Sequence, residues 1–494
     1  MKKVSVFIFV ILLSINTIYS QKEAELTVLK QGKGSFAFIA DHQFHLKYGI
    51  AFPLTYQFKI PSDAKELTAK ERYTSSDPWE VIPEKKQDET FNDIEAVRFD
   101  YENGYAFVSC SFGTGDSLSI QICDRAGNDI NAVYRGITKY YDNRKAAVTV
   151  SADDWYDEYN TMFKSLLDFF RSYGLYVTAG ITTTGVTKLS WDEIQKQVDN
   201  GYVEAASHSR THPFTPYQDA YGEVCGSSEE IIKNLALPKY YNANGKEHVY
   251  VWLAPSGDYD SEVDSLVTVG NYIVPRLYLN LPVTEVRDYT NGDSHLSSWD
   301  ETAGHFEPFY PTVELGSPYW GGGDTSLTSL NNLFDSIVAR GEVYHPMWHP
   351  QVLIEDTNKS YLKNHLAYIS HHDDIWYVCL GPLYLYHMLQ EANSKSIHVC
   401  LNTSEKLFNP VEISLNNGNN AEPYSNIKFE LPKNVFVNIS IYNATGEKVL
   451  TLMNQNMEKG IYEINFDIDK LNKGNYKCQL TRGAEVFTQS FVIE

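Results

Sequence analysis

The chain has 494 residues, of which 43% are hydrophobic and 21% charged, a composition typical of folded globular proteins. Because one hydrophobic core seldom serves so long a chain, we expect two or three domains. The formal net charge of −22 argues against nucleic acid and anionic membrane surfaces as partners, since both bind clustered Lys and Arg.

Residues 1–20 have the layout of a secretory signal peptide. Lys2 and Lys3 precede an apolar run that extends to Leu13, and Ser20 provides a small residue for cleavage. The run is too short to span a bilayer comfortably, and no later stretch is apolar for long enough. We therefore expect an exported, soluble protein with no membrane span.

The cysteines are not arranged as a zinc site, because the sequence contains no C-x-x-C pair. Export would allow disulfides to form. Cys110 with Cys123, and Cys400 with Cys478, are the candidate pairs, since each pair lies within one predicted β-region.

Residues 21–143 are predicted to form an N-terminal all-β domain. Short β-type runs alternate there with turn residues. The runs at 105–110 and 118–122 flank a glycine-containing turn, which favours a β-hairpin.

Residues 144–393 change to a rhythm of strand followed by helix. Apolar residues at helical spacing between Tyr159 and Phe170 predict the first helix, and Pro382 begins the last. Strands are predicted at 146–151, 175–181, 202–207, 248–254, 343–349 and 375–378. Repeated units of this length imply parallel strands wound into a barrel or a doubly wound sheet.

Residues 394–494 return to strands and turns without helices, for example at 435–442 and 448–452. This pattern predicts a small C-terminal β-sandwich.

Polar side chains follow several of the predicted parallel strands, where the loops of such a fold converge on one rim. Asp153 and Asp154 follow the first strand, and His208 and His212 follow the third. Further polar clusters follow at 254–257 and 345–350. Each residue alone has an ordinary explanation as a helix cap or a surface histidine. Their shared rim favours a functional site.

Two imidazoles and one carboxylate are a common ligand set for a catalytic zinc ion. His208 and His212 are four residues apart, so their rings can face a common atom, and Asp154 is the natural third ligand. Asp153 is left free to take a proton from a water molecule.

The segments Ser151-Ala152-Asp153-Asp154 and His208-Ser209-Arg210-Thr211-His212 resemble motifs of the polysaccharide deacetylases of carbohydrate esterase family 4, the NodB-homology domain. The resemblance extends from about residue 145 to 391. It implies a distorted (β/α) barrel and metal-dependent removal of N- or O-acetyl groups from sugar polymers. It also implies Asp153 as general base and Asp154, His208 and His212 as ligands of a divalent metal, Zn²⁺ first, with Co²⁺ or Ni²⁺ as alternatives.

The family uses a histidine at the end of a late strand as general acid, and this chain offers His345 and His349. We favour His349, because its Trp348-His349-Pro350 setting is more like the family motif. His345 would then support the site or simply pack.

The chain departs from the family where an Arg normally stands two positions before a Pro, because Leu253 occupies that position. The Arg that orients the base is therefore missing from its usual place. The backbone N–H of Ser256 could still bind an oxyanion, since that role needs no particular side chain.

The family's fourth motif, which contains Asp and Trp, has two candidates, at residues 298–300 and 320–323. Trp299, Tyr319 and Trp320 could also form a wall on which sugar rings stack, with ordinary packing as the alternative.

Residues 437–449, 460–462 and 471–476 look like the C-terminal sorting domain of the type IX secretion system. This resemblance implies that the secretion machinery is a partner and that the protein reaches the cell surface or the extracellular space.

The sequence thus predicts a secreted metal-dependent deacetylase that acts on an acetylated polysaccharide. Two alternatives stay open. One is a non-catalytic carbohydrate-binding protein on a decayed barrel, suggested by the missing Arg. The other is an O-acetyl esterase of the xylan type, because amide and ester hydrolysis pass through the same kind of oxyanion.

Overall fold

A computed structural model describes the chain except for the following segments. These segments are residues 1–25, 41–44, 46–47, 51, 93, 114, 239–241, 244–245, 258–259, 277–311, 317–324, 355–359, 394–396, 401–410, 415–423, 432–434, 459, 468–470, 483–484 and 494. The predicted signal peptide, both candidates for the fourth motif and the three aromatic residues of the proposed wall lie outside the described residues. Among the helices that are described, none is long and apolar enough to cross a bilayer.

The N-terminal β-region comprises the described strands between residues 26 and 137. They are β1 (Leu26–Lys30), β2 (Ser35–Ala40), β3 (Leu54–Lys59), β4 (Leu67–Arg72), β5 (Glu80–Val81), β6 (Ala96–Asp100), β7 (Tyr105–Cys110), β8 (Ser117–Asp124) and β9 (Val133–Ile137). Within this region every strand pair is antiparallel, and the strands divide between two sheets.

The predicted hairpin between β7 and β8 is wrong, although both strands exist. β7 pairs with β3 and β6, whereas β8 pairs with β2 and β4 in the other sheet. The connection crosses between sheets because each strand buries apolar side chains in the core between them. Cys110 and Cys123 are consequently in different sheets, and both are free thiols, as is Cys478. The two predicted disulfides are therefore absent from the described structure.

The central region alternates strands and helices as the sequence predicted. Its elements are β10 (Ala146–Val148), β11 (Val150–Trp155), α1 (Asn160–Arg171), β12 (Val177–Ile181), α2 (Lys188–Asp199), β13 (Val203–Ser207), α3 (Ser227–Asn234), β14 (Asn242–Ala243), β15 (Lys246–Glu247), β16 (Val251–Leu253), α4 (Ser261–Val269), β17 (Val274–Arg276), β18 (Thr312–Glu314), α5 (Leu327–Arg340), β19 (Val343–Trp348), α6 (Pro350–Leu353), α7 (Ser360–Ile369), β20 (Ile375–Tyr377) and α8 (Leu380–Asn393).

One parallel sheet forms the centre of this region, with strand order β17-β16-β13-β12-β11-β19-β10-β20 and β18 beside β19. Parallel strands joined by helices are the arrangement that the sequence predicted for this region. Within the described residues, β17 and β20 are the two ends of the sheet and do not pair with each other, so the expected barrel is not closed there.

An aromatic stack joins α1 to two strands of the parallel sheet. The rings of Trp155 on β11 and Phe163 on α1 are 4.7 Å apart, and Trp348 on β19 lies 5.2 Å from Phe163 and 5.3 Å from Phe170. Offset and tilted aromatic pairs of this kind stabilise beyond their buried area by about 0.5–1.5 kcal/mol. The stack therefore holds the ends of β11 and β19 in a fixed relation.

The C-terminal β-region comprises the described strands after residue 396. They are β21 (Ile397–Cys400), β22 (Val411–Ser414), β23 (Tyr424–Leu431), β24 (Val435–Asn443), β25 (Lys448–Met457), β26 (Gly460–Asp467), β27 (Gly474–Arg482) and β28 (Glu485–Ile493). β25, β24, β27 and β28 form one antiparallel sheet, whose apolar side chains share a buried cluster with β23 and β26.

The second sheet of the C-terminal β-region continues into the N-terminal β-region. β21 pairs in parallel with β1, so the strand order runs β22-β23-β26-β21-β1-β2-β8-β4-β5. Alternation along β1 directs Leu26 and Val28 into the N-terminal core, whereas Leu29 belongs to the C-terminal cluster. The sequence did not predict this shared sheet.

We expect Leu29→Asp to weaken the contact between the two β-regions. Leu29 is 5% exposed, and an unpaired carboxylate at this position should lower the free energy of unfolding by more than about 3 kcal/mol. Calorimetry and limited proteolysis of the full chain should show a lower melting temperature and faster cleavage within residues 397–493. Thr27→Asp, on the same face of β1 but partly exposed, is the control. Equal behaviour of the two variants would contradict the role of the shared sheet.

Candidate metal centre and catalytic residues

The two adjacent carboxylates face one site because β11 is irregular where they occur. Neighbouring residues of a regular strand point to opposite faces of the sheet. The register of β11 with β12 shifts between Ala152 and Trp155, which marks a bulge, and Asp154 has a φ of 72°. Asp tolerates this left-handed conformation better than most residues. The bulge thus changes the direction of Asp153 and Asp154 at the end of the strand.

Asp153 is buried and forms an ion pair with the buried Arg276, whose Nη2 donates to Asp153 Oδ1. Burial alone would raise the pKa of Asp153, but the charge and hydrogen bond of Arg276, together with the charges of His208 and His349, hold it below its usual value. Arg276 ends β17 and lies directly opposite Leu253 of β16 in the parallel register. The guanidinium that is missing at position 253 therefore comes from the neighbouring strand.

The loop after β13 places His208 and His212 side by side, with ring centroids 4.8 Å apart. Ser209 and His212 both have positive φ, at 65° and 58°, so the segment is a tight loop and not a helical turn. Glu223 organises this loop by accepting hydrogen bonds from the backbone N–H groups of Arg210 and Thr211, at 2.8 and 2.9 Å.

Asp154, His208 and His212 converge on one point. Asp154 Oδ1 lies 3.5 Å from His208 Nε2 and 3.6 Å from His212 Nε2. All three potential ligand atoms lie within 4.8 Å of one another. Gln351 Nε2 donates to the other carboxylate oxygen, Asp154 Oδ2, at 3.1 Å.

These residues fit a divalent cation. His208 Nδ1 is 2.8 Å from the carbonyl of Leu253, which can only accept, so Nδ1 carries the proton and Nε2 presents a lone pair. His208 Nε2 is buried and has no hydrogen-bond partner among the described residues. An orphaned lone pair facing a carboxylate oxygen is unfavourable unless a positive charge lies between them. A metal ion would satisfy both groups.

The protonation states agree with a ligand set. Burial would raise the pKa of Asp154, but His208, His349 and the Gln351 amide together hold it well below its usual value. Burial, reinforced by the neighbouring His208, lowers the pKa of His212. An ionised carboxylate and a neutral imidazole are the forms that bind metal.

His349 follows β19 at the same rim, and its Nδ1 lies 3.1 Å from Glu314 Oε1 at the end of β18. Burial would lower the pKa of His349, but the hydrogen bond to Glu314 and the charges of Asp153 and Asp154 raise it instead. The pKa of His349 is therefore raised, whereas those of His212 and His345 are lowered.

His345 has a different environment within β19. It is fully buried, with Nε2 2.9 Å from Ser151 Oγ. Burial, together with the nearby Arg276 charge, lowers its pKa to about 3, so the ring is neutral at physiological pH.

Ser256 lies in a turn just after β16, with a φ of 55° and an exposed side chain. Residues 258 and 259, which follow Gly257, are outside the described part of the chain. The use of Ser256 as an oxyanion donor stays a prediction.

Sequence reasoning missed Arg276, Glu314 and Gln351. Arg276 and Glu314 each end a strand of the parallel sheet, so the rule that reactive groups follow such strands could have indicated both. Gln351 has a weaker signal, since only its position two residues after His349 points to the site.

The fold is similar to several solved structures, each at low sequence identity. A proposed polysaccharide deacetylase from Mycobacterium smegmatis is 12% identical, with a TM-score of 0.35, over 51% of this chain and 93% of that one. A family 4 acetyl xylan esterase from Clostridium thermocellum is 13% identical, with a TM-score of 0.27, over 48% and 90%. A CE4 family pseudoenzyme from Bacillus anthracis is 13% identical, with a TM-score of 0.28, over 49% and 66%. No curated protein sequence matches the chain.

Residues 419–494 match the family described as Secretion system C-terminal sorting domain. The predicted sorting domain is therefore confirmed, and it lies within the region 394–494 that was predicted as a C-terminal β-sandwich. This domain marks the protein for export by the type IX secretion system to the cell surface or the extracellular space.

Proposed function

We propose that the chain is an exported metal-dependent deacetylase that hydrolyses N- or O-acetyl groups on a polysaccharide. One observation carries the proposal. At a single rim, Asp154, His208 and His212 present converging ligand atoms, while the adjacent Asp153 has its own counterion in Arg276. Two neighbouring carboxylates with separate partners suit one structural and one chemical role.

Asp154, His208 and His212 would hold the metal, for which Zn²⁺ is the first expectation and Co²⁺ or Ni²⁺ are alternatives. When bound, such an ion would act as a Lewis acid toward the acetyl carbonyl oxygen and also toward a water molecule.

Asp153 acts as general base and removes a proton from the attacking water. Arg276 supports this role in two ways, because it keeps the carboxylate ionised and fixes its orientation. The missing Arg at position 253 had suggested a non-catalytic carbohydrate-binding protein. The ion pair between Arg276 and Asp153 removes the reason for preferring that alternative.

His349 acts as general acid and protonates the leaving amine or alcohol. Glu314 favours the protonated imidazole, as this role requires. His345 is a poor candidate, since a buried imidazole that stays neutral donates no readily available proton. The Ser256 N–H is our expected oxyanion donor.

Acetate release from a panel of acetylated polysaccharides, with and without a chelator, tests the proposal. Acetylated chitooligosaccharides report amide cleavage and acetylxylan reports ester cleavage, so the panel also separates a deacetylase from an O-acetyl esterase. Chelator-sensitive release from at least one substrate is expected. Binding of a polymer without release of acetate from any of them would favour the non-catalytic alternative.

Variants of the two carboxylates should differ in metal content. Asp154→Ala and His208→Ala should lose both the metal and acetate release, because each removes a ligand. Asp153→Asn should keep the metal but lose about 10²–10⁴-fold in kcat, the usual contribution of a general base. Elemental analysis after desalting, combined with an acetate assay, measures both. Full activity of Asp153→Asn would exclude Asp153 as the base.

A double-variant cycle tests the ion pair between Arg276 and Asp153. Arg276→Met leaves a buried carboxylate without its counterion and should lower the free energy of unfolding by about 3–5 kcal/mol. Adding Asp153→Asn to that variant should recover most of the loss, since the uncompensated charge is gone. Urea denaturation of the single and double variants measures the coupling. Additive effects of the two substitutions would show that the pair does not interact.

Glu314→Gln should change the pH dependence of turnover. Glu314 raises the pKa of His349, so its removal lowers that pKa, and the protonated acid is then lost at lower pH. The alkaline limit of the kcat profile should shift toward lower pH, with little change in metal content. Glu342→Gln, whose carboxylate pairs with Arg340 away from the site, is the control. An unshifted alkaline limit would separate Glu314 from the acid.

A further inference from the structure

We infer that Gln351 is a positioning residue, which directs one oxygen of Asp154 toward the metal by binding the other oxygen. The inference rests on the proposed metal site and assigns a role to a residue outside the ligand set.

The two oxygens of Asp154 have separate environments. Oδ1 faces the Nε2 atoms of His208 and His212, at 3.5 and 3.6 Å. Oδ2 accepts a hydrogen bond from Gln351 Nε2, at 3.1 Å. A carboxylate with one oxygen bound in this way offers the other as a single ligand atom, and it cannot rotate freely about its terminal bond.

The backbone around Gln351 limits where its amide can lie. His349 caps α6, Pro350 opens it, and Gln351 follows in the first turn. Proline at this position has a backbone angle suited to a helix start. The general acid and the amide that contacts Asp154 are therefore supplied by one rigid turn.

The hydrogen bonding of Gln351 indicates that the role of its side chain is to bind Asp154. Its Oε1 is buried and has no hydrogen-bond partner in the described part of the chain. An unsatisfied buried oxygen costs about 1–3 kcal/mol, which disfavours a glutamine kept only for stability. The amide orientation is also fixed, since only the NH₂ group can donate to a carboxylate.

Loss of the amide should weaken metal binding. Partners that orient a ligand typically contribute about 10–100-fold to metal affinity, because they reduce the freedom that the ligand loses on binding. Without Gln351, the Asp154 carboxylate could rotate, and both oxygens could compete for the ion.

Gln351→Leu and Gln351→Met test the inference. Both substitutions remove the amide donor and leave an apolar side chain of similar size. Competition with a chromophoric chelator gives the Kd for Zn²⁺ and Co²⁺, and the visible spectrum of the Co²⁺ protein reports ligand geometry. We expect a Kd about 10–100-fold weaker in both variants and an altered Co²⁺ spectrum.

Gln197→Leu is the matched control. Gln197 also donates its amide to a carboxylate at 3.1 Å, that of Glu193, but this contact lies within helix α2. The Gln197→Leu variant should leave the Kd values for Zn²⁺ and Co²⁺ and the Co²⁺ spectrum unchanged. If the wild type binds metal and both Gln351 variants match it, the inference alone is overturned. A wild type that binds neither ion overturns the proposed metal site together with the inference.

Discussion

The site depends on the separate compensation of two adjacent carboxylates. Burying both Asp153 and Asp154 at one strand end would be costly, since like charges that are removed from water repel and raise each other's pKa. Arg276 compensates Asp153, and a cation held by Asp154, His208 and His212 would compensate Asp154. Because the compensating groups differ, we propose that Asp154 binds the cation and that Asp153 accepts a proton.

The fold supports this division by bringing groups from three strands of the parallel sheet to one rim. The carboxylates come from β11, the guanidinium from β17, and the proposed acid follows β19. The aromatic stack of Trp155, Phe163 and Trp348 connects the first and last of these strands through α1. Groups held on packed strands keep their spacing better than groups held on loops. Core packing therefore sets the distance between the ends of β11 and β19, and with it the spacing of the proposed base and acid.

Local signals allowed prediction of the alternation of strands and helices and of Asp153, Asp154, His208 and His212 as candidates, because each pair of candidates lies within one short segment. Arg276 and Glu314 end β17 and β18, two strands that the sequence did not predict, and their contacts depend on strand neighbours distant in sequence. The incorrect hairpin has the same cause: a turn sequence indicates that the chain bends, but not which sheet the next strand joins.

Arg276 lies opposite Leu253 in the sheet, so a guanidinium reaches Asp153 from the neighbouring strand although the motif position holds an apolar residue. The Leu253 carbonyl still accepts from His208 Nδ1, a role any residue can fill. Its side chain packs so close to Gly180 that a Cβ there would lie 2.8 Å from Leu253 Cδ1. The Leu253 side chain and the Cβ of His208 therefore both lie close to Gly180. The charge that Asp153 needs enters one strand away, at the same level of the sheet, because what the carboxylate requires is a guanidinium at that point in space.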